Sequence, residues 1–258
     1  MKRLLILAAL AVMLGGEAKA SFIITQWNFD SASLSPSTGT GAASYVGGTT
    51  ATNASGTNPA GFAAGNSSAY GWNTTTYANQ SAGSGTRGVQ FLVSTAGKSN
   101  IMLTFDHRGS GTASRWARVD YTLDGGASWT TGFWNNNGGL SPHDTFHSFN
   151  VDLSSVTAAN NNAGFGFRIV SIFSPLAFDQ NSSLSPFAAN TAYMRANSGA
   201  VYSPNTSTAT GDYGATGTWR FDNVTVSGVP EPTSGLLIGV GTLACAAFRR
   251  NRRNRLVS

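Results

Sequence analysis

An all-β fold, an antiparallel sandwich held between two targeting segments, follows from three observations on this 258-residue chain. Several short stretches alternate apolar and polar residues with period 2, the mark of a half-buried strand. No stretch of the central region sustains the 3.6-residue apolar period of a helix. Turns rich in Gly, Asn, Ser and Thr separate the alternating stretches. Many strands of that length, spaced by such turns, argue for a sandwich or barrel over a parallel α/β sheet.

The strands can be justified in chain order. Ile23 to Phe29 opens the domain, and Gln90 to Ser94 is a second short strand. Asn100 to Asp106 places Ile101, Leu103 and Phe105 on one face. Arg115 to Leu123 is the clearest: Ala117, Val119, Tyr121 and Leu123 point one way, and Arg118, Asp120 and Thr122 point the other. Phe149, Val151 and Leu153 share a face, as do Phe165, Phe167, Ile169 and Phe173 with Arg168 opposite them. The last strand changes phase, because Trp219 and Phe221 are odd whereas Val224 and Val226 are even. One extra residue at Asp222-Asn223, a β-bulge, accounts for the switch; burial on both faces is the alternative. Residues 31–87 and 176–212 are loose in composition, and short strands within wandering loops are expected there, since a structureless loop of that length is uncommon in a compact domain.

The ends carry a different chemistry. Lys2 and Arg3 precede the apolar run Leu4 to Leu14, and Ala18-Lys19-Ala20 follows. That is a secretory signal peptide over residues 1–20, with signal peptidase cutting between Ala20 and Ser21. At the other end, Val229-Pro230-Glu231-Pro232 precedes an apolar segment over 233–248, then Arg249, Arg250, Arg252, Arg253 and Arg255 in a basic end over 249–258. Positive charge holds its end of a membrane segment on the cytoplasmic side. The exported domain is therefore expected over 21–228 and the tail over 229–258. The order of motif, membrane helix and basic stop resembles the PEP-CTERM tail. That resemblance implies processing by exosortase, transient residence in the inner membrane, and delivery to the surface or extracellular matrix of a Gram-negative bacterium that makes exopolysaccharide.

Charge follows the same partition. The chain is +5 overall, yet the eight Lys or Arg and nine Asp of residues 21–228 leave that domain at −1. The basic balance belongs to the targeting ends, so nucleic-acid binding, which needs a basic patch on the folded domain, is not expected. Cys245 is the only cysteine and lies in the tail. The domain has no internal disulfide and must depend on its core.

Trp27-Asn28-Phe29, Asn100 to Asp106, Val119 to Gly126 and Trp219 to Val226 look like strands of the jelly-roll domains common in PEP-CTERM proteins, a fold shared with many carbohydrate-binding modules. The resemblance refines the fold class to a jelly-roll-like sandwich. Thr122 to Trp129 also resembles the Asp box of sialidases, in which Asp124 bonds the turn, Gly125 or Gly126 takes positive φ and the Trp packs under the hairpin. It occurs once, as a hairpin turn would.

Catalytic patterns are sparse. His143 and His147 have i, i+4 spacing, but on a strand that separates them by about 13 Å, too far for a shared ion. Asp106-His107 can be drawn into a triad only on paper, no Gly-x-Ser-x-Gly elbow is present, and the domain has no Glu for a carboxylate pair. A structural or adhesive role without catalysis is the expected function, with a carbohydrate-binding module on exopolysaccharide as the alternative and a glycoside hydrolase or other hydrolase third. Two aromatic-amide clusters are the candidate sugar sites: Tyr70 with Trp72, and Trp134 with Asn135; core packing of both Trp residues is the competing reading. No cofactor is required. Resemblance to the jelly-roll modules suggests one structural calcium, with Asp30 and Asp222 as ligands.

Overall fold

The computed structural model describes residues 20–52, 62–63, 70–77, 83–110, 113, 117–133, 146–172, 177–178, 184–185 and 217–231. Residues 1–19, Pro232, the membrane segment, the five tail arginines, Trp134, Asn135, His143 and Phe173 lie outside them. Among the described residues, fourteen strands and one 3-10 turn, Thr157–Ala159, make up the regular structure. The strands are β1 (Phe22–Trp27), β2 (Ala42–Val46), β3 (Thr50–Ala51), β4 (Phe62–Ala63), β5 (Gly71–Thr75), β6 (Gly88–Leu92) and β7 (Lys98–Gly109). They continue as β8 (Ala117–Thr122), β9 (Thr130–Phe133), β10 (His147–Asp152), β11 (Gly166–Ser171), β12 (Ala177–Phe178), β13 (Leu184–Ser185) and β14 (Trp219–Pro230).

Two antiparallel sheets form the jelly-roll-like sandwich. The seven-stranded sheet runs β10-β7-β14-β5-β3, with β1 also on β14 and β4 also on β5. The five-stranded sheet runs β2-β6-β11-β8-β9. The chain passes back and forth between the sheets: β6, β8 and β11 belong to one, and β7, β10 and β14 to the other. A two-stranded β12-β13 ribbon is separate.

The core lies between the two inner faces and is aromatic. Phe91 of the five-stranded sheet meets Trp27 at 5.0 Å and Trp72 at 6.0 Å from the opposite sheet, and stacks on Phe167 at 4.9 Å. Such tilted and edge-on pairs add specificity to the area they remove from water. The inward residues expected from alternation are buried at Ile101, Leu103, Phe105, Ala117, Val119, Phe149, Val151, Phe167 and Ile169.

β5 is the exception to alternation. Gly71, Trp72, Asn73 and Thr74 are all buried, on a strand flanked in its sheet by β14 on one side and β3 and β4 on the other. A strand covered on both faces has no period-2 pattern to read.

β14 contains the expected bulge. Its register with β7 passes from Asp222↔Asp106 to Thr225↔Thr104, so Asn223 and Val224 oppose Phe105 alone. Asn223 has φ 47, in the left-handed region that Asn tolerates better than most residues. Trp219, Phe221, Val224 and Val226 all reach the core as a result.

Candidate functional site

Strand pairing builds a polar row across the five-stranded sheet. Ser44 pairs with Gln90, Gln90 with Arg168, Arg168 with Asp120, and Asp120 with Thr131. Directly paired residues of antiparallel strands share a face. Val89, Phe91, Val119 and Ile169 point into the core, so the row lies on the outer face.

Asp120 is its electrostatic centre. Arg118 donates to it through Nε at 2.5 Å and Nη2 at 3.0 Å, and Arg168 donates to Oδ2 through Nε at 3.1 Å and Nη2 at 3.0 Å. The carboxylate is 1% exposed, while the two Arg side chains keep about a fifth of their surface. Arg168 also lies over the Trp129 ring, 4.7 Å from its centroid. Two guanidinium groups on one carboxylate leave the cluster one unit positive. Guanidinium edges, the Gln90 amide and the Ser44 and Thr131 hydroxyls present the hydrogen-bonding groups that polyhydroxylated or carboxylated chains accept. Alternation separated Arg118, Asp120 and Arg168 from the core positions, but Gln90 and Ser44 join them only through strand order.

The Asp-box resemblance resolves as a hairpin turn. Thr122 Oγ1 donates to Asp124 Oδ1 at 2.7 Å and accepts the Gly126 amide at 3.0 Å, and Ser128 donates its amide to Asp124 at 2.9 Å. Hydrogen bonds from Ser128 and Thr122 hold the Asp124 carboxyl well below its usual range. Gly125 and Gly126 both have positive φ. The turn sets Trp129 beside Arg168 on the outer face; the ring is only partly covered.

The first predicted sugar cluster is corrected in part. Trp72 is fully buried, with its ring 5.6 Å from Phe29, 5.1 Å from Tyr45 and 6.4 Å from Phe221. Its ring faces are occupied by the core and its Nε1 donates to the Tyr45 hydroxyl at 3.3 Å, so it offers no face to a sugar. Tyr70 is half-buried against the core, and Tyr45 keeps 38% of its surface in solvent. The second cluster, Trp134 with Asn135, follows β9 outside the described residues.

The paper triad is dismantled by strand parity. Asp106 lies on the outer face, where it accepts from Ser148 and from Asn223 Nδ2 at 2.9 Å. His107 points inward, fully buried, stacked 4.6 Å from Phe221 and edge-on to Trp219 at 4.8 Å. Burial foremost, and the nearby His147 second, push its pKa down to about 3, so the ring is neutral. Among the described residues neither ring nitrogen has a hydrogen-bond partner. His107 is a core residue, and Asp106 is its neighbour in sequence but not in space.

Asp30 and Asp222, the two residues expected to hold calcium, differ in burial and in partners. Asp222 is 1% exposed, stands opposite Asp106 across the ladder, and accepts the Asn223 amide at 2.8 Å. Asp30 is exposed and receives Asn28 Nδ2 at 2.8 Å. Among the described residues, no three His, Cys, Asp or Glu side chains group closely enough to hold a metal ion.

The sorting signal is joined to the fold without a linker. Val229 pairs with Ser99 and Pro230 with Lys98, and the Glu231 amide donates to the Gly97 carbonyl at 3.0 Å. Ser99 Oγ donates to the Val229 carbonyl at 3.3 Å. At the other terminus Phe22, one residue after Ser21, pairs with Gly228. Both predicted processing points thus meet at one end of one sheet. Among the described residues no helix is long and apolar enough to cross a membrane.

These features define an all-β sandwich whose last strand runs into a sorting signal. Residues 228–253 match the family model of the PEP-CTERM protein-sorting motif, which marks the chain as an exported, exosortase-processed protein. No curated protein matches the chain. Among solved structures it is similar to the CBM22-1 xylan-binding domain of Paenibacillus barcinonensis Xyn10C, at 12% identity and a TM-score of 0.43, over 83% of this chain and 99% of that one. It is also similar to the N-terminal cellulose-binding domain of Cellulomonas fimi β-1,4-glucanase C, at 12% identity and a TM-score of 0.30, over 73% of this chain and 90% of that one.

Proposed function

We propose that the mature protein is a structural or adhesive component of the cell envelope or extracellular matrix and that it works without catalysis. The observation that carries this reading is the continuity of β14 with the sorting motif: the sandwich itself is what the signal delivers. Signal peptidase and exosortase are its processing partners, and the inner membrane is a transient station. Cell fractionation tests the reading. The processed protein is expected in the matrix fraction, and its deletion should weaken matrix cohesion while leaving exopolysaccharide chain length unchanged. Shortened or lengthened chains in the deletion strain would point to an enzyme instead.

Processing has its own test. The pairing of Pro230 and the bond from the Glu231 amide favour a cut on the tail side of Glu231, which leaves β14 whole. Intact-mass analysis of the extracellular protein should give Ser21 at one end and Glu231 or a later residue at the other. A terminus at or before Pro230 would mean that the strand is peeled open before it is cut.

A second reading, adhesion through direct binding of exopolysaccharide, is favoured by the outer-face row from Ser44 to Thr131 with Trp129 beside it. Its excess positive charge suits a glycan bearing carboxylates. In affinity electrophoresis, the mature protein should be retarded by the host's acidic exopolysaccharide, and Arg168→Ala should lose most of that retardation. Equal mobility with and without every acidic polysaccharide would remove this reading and leave the structural one.

A further inference from the structure

The sandwich has two unlike ends. At one, β14 ends at Pro230, β7 begins at Lys98 and β1 begins at Phe22. The short connections 93–97, 123–129 and 153–165 close the same end, because Leu92, Gly166 and Thr122 lie in one register row and the Asn161 amide donates to the Lys98 carbonyl at 2.7 Å. At the other, Trp219 pairs with Gly109, His147 with His107, and Ser171 with Ala117. The long segments 134–146 and 172–218 leave and rejoin the sheets there.

Chain length ties the first end to the bilayer. The Glu231 amide is fixed to Gly97, and the apolar tail segment starts at Thr233. Two residues span at most about 7 Å. Whatever membrane holds the tail must therefore lie almost against the 93–97 turn.

The surface at this end suits that position. Three of the four exposed large hydrophobic residues among those described are here: Phe22 at 54%, Ile23 at 50% and Met102 at 37%. Ile23 and Met102 flank Ser227 in one outer-face row. Asp152 is the cross-strand partner of Met102 and its carboxylate binds the Ser154 amide at 2.8 Å. That charge holds the row at headgroup depth and out of the hydrocarbon.

We propose that this end is a bilayer-contact surface: while the tail is uncut, the sandwich stands on the membrane with the 93–97 turn, Phe22 and the Ile23–Met102 row among the lipid headgroups. The twelve residues of β7 span about 40 Å. The domain thus holds its opposite end, where Trp219 pairs with Gly109 and Ser171 with Ala117, well away from the lipid. The proposal rests on the tail-anchored reading of the sorting signal.

The test uses the full chain with Cys245→Ser, reconstituted in phosphatidylethanolamine–phosphatidylglycerol vesicles. A fluorophore is attached to a single cysteine at Ala96→Cys, Met102→Cys or Ser84→Cys, the last in the turn before β6 at the far end. Headgroup-borne nitroxides should quench the Ala96 and Met102 labels at least threefold more than the Ser84 label. Equal quenching at the two ends overturns the proposal. So does energy transfer between Met102 labels on separate copies, which would assign the patch to a second copy of the chain. A label on native Cys245 separates the two levels. Quenching there by acyl-chain nitroxides, with no difference between the ends, defeats only the contact surface. No quenching at Cys245 defeats the anchored reading and the proposal together.

Discussion

The two sheets bury their carboxylates in opposite ways. In the five-stranded sheet Asp120 sits between two guanidinium groups, on a strand in unbroken register with β11 but shifted against β9 between Val119 and Asp120. In the seven-stranded sheet Asp106 and Asp222 face each other across β7 and β14, and their donors include the neutral groups of Ser148 and Asn223. Register shifts are more numerous around the second arrangement, at Asp222/Thr225, Ser227/Val229 and Ile23/Thr25. The difference teaches that alternation along β8 and β11 is enough to set two guanidinium groups on one carboxylate, whereas at Asp106 and Asp222 a bent backbone supplies an amide and a side-chain donor.

The largest expected effect lies in the five-stranded sheet. Asp120→Ala leaves Arg118 and Arg168 side by side with no counter-charge. Breaking a buried pair costs about 3–5 kcal/mol, and the partial exposure of both Arg side chains trims that to about 3 kcal/mol. For a domain of this size the melting temperature of the mature protein should fall by roughly 6–12 °C. A fall under 2 °C would show that the network is a surface ornament.

Acid should act on the other sheet. His107 is neutral in the fold, with a pKa of about 3 against an ordinary 6.5. Between those values the unfolded chain binds a proton that the native state excludes. Stability therefore rises with pH across this window and is lost as pH falls from 6.5 toward 3. The loss should be of order 3 kcal/mol by pH 4. Urea denaturation at pH 7 and pH 4 measures it, and His107→Phe should remove most of the difference. An unchanged pH dependence in that variant would transfer the effect to the carboxylates.

A smaller effect separates the two Asp environments. Asp222→Asn keeps an oxygen to accept the Asn223 amide, so its cost should stay near 1 kcal/mol, well under that of Asp120→Ala. Equal costs would erase the distinction between the sheets.

The same contrast explains what could be read from the residues. Val119, Arg118 and Asp120 alternate, so the outer row was half legible before any fold was known. The phase change between Phe221 and Val224 disclosed the bulge, because only an extra residue lets both sides of it reach one core. β5 was illegible for the opposite reason: Trp72 and Asn73 are covered on both faces, and with no alternation the pair resembled an exposed aromatic-amide cluster. Asp106-His107 misled because neighbours in a strand point to opposite faces. The linker-free joint between β14 and the sorting motif left no sequence mark at all, since Val229 and Pro230 read as signal before they read as strand.

The last test falls on the hinge of the comparison, Asn223, where the Gly variant should cost little and the Val variant more. Its φ of 47 puts it where glycine is at ease and β-branched residues are strained. Asn223→Gly relieves the backbone but loses the Nδ2 donor to the Asp106 carboxylate, a part-buried charge-assisted bond worth about 1.5 kcal/mol. It also gives the unfolded chain more freedom, a further cost of up to about 1 kcal/mol. Part of this is returned by the relief of strain, so the net loss should be about 1 kcal/mol. Asn223→Val loses the same donor and adds strain of about 1–3 kcal/mol at positive φ. The Val variant should therefore unfold at clearly lower urea than the Gly variant, while Trp219 and Phe221 stay buried in both. If Gly and Val unfold together, the left-handed residue is not what switches the strand's phase, and the bulge must be held by the Asp222 and Asp106 carboxylates alone.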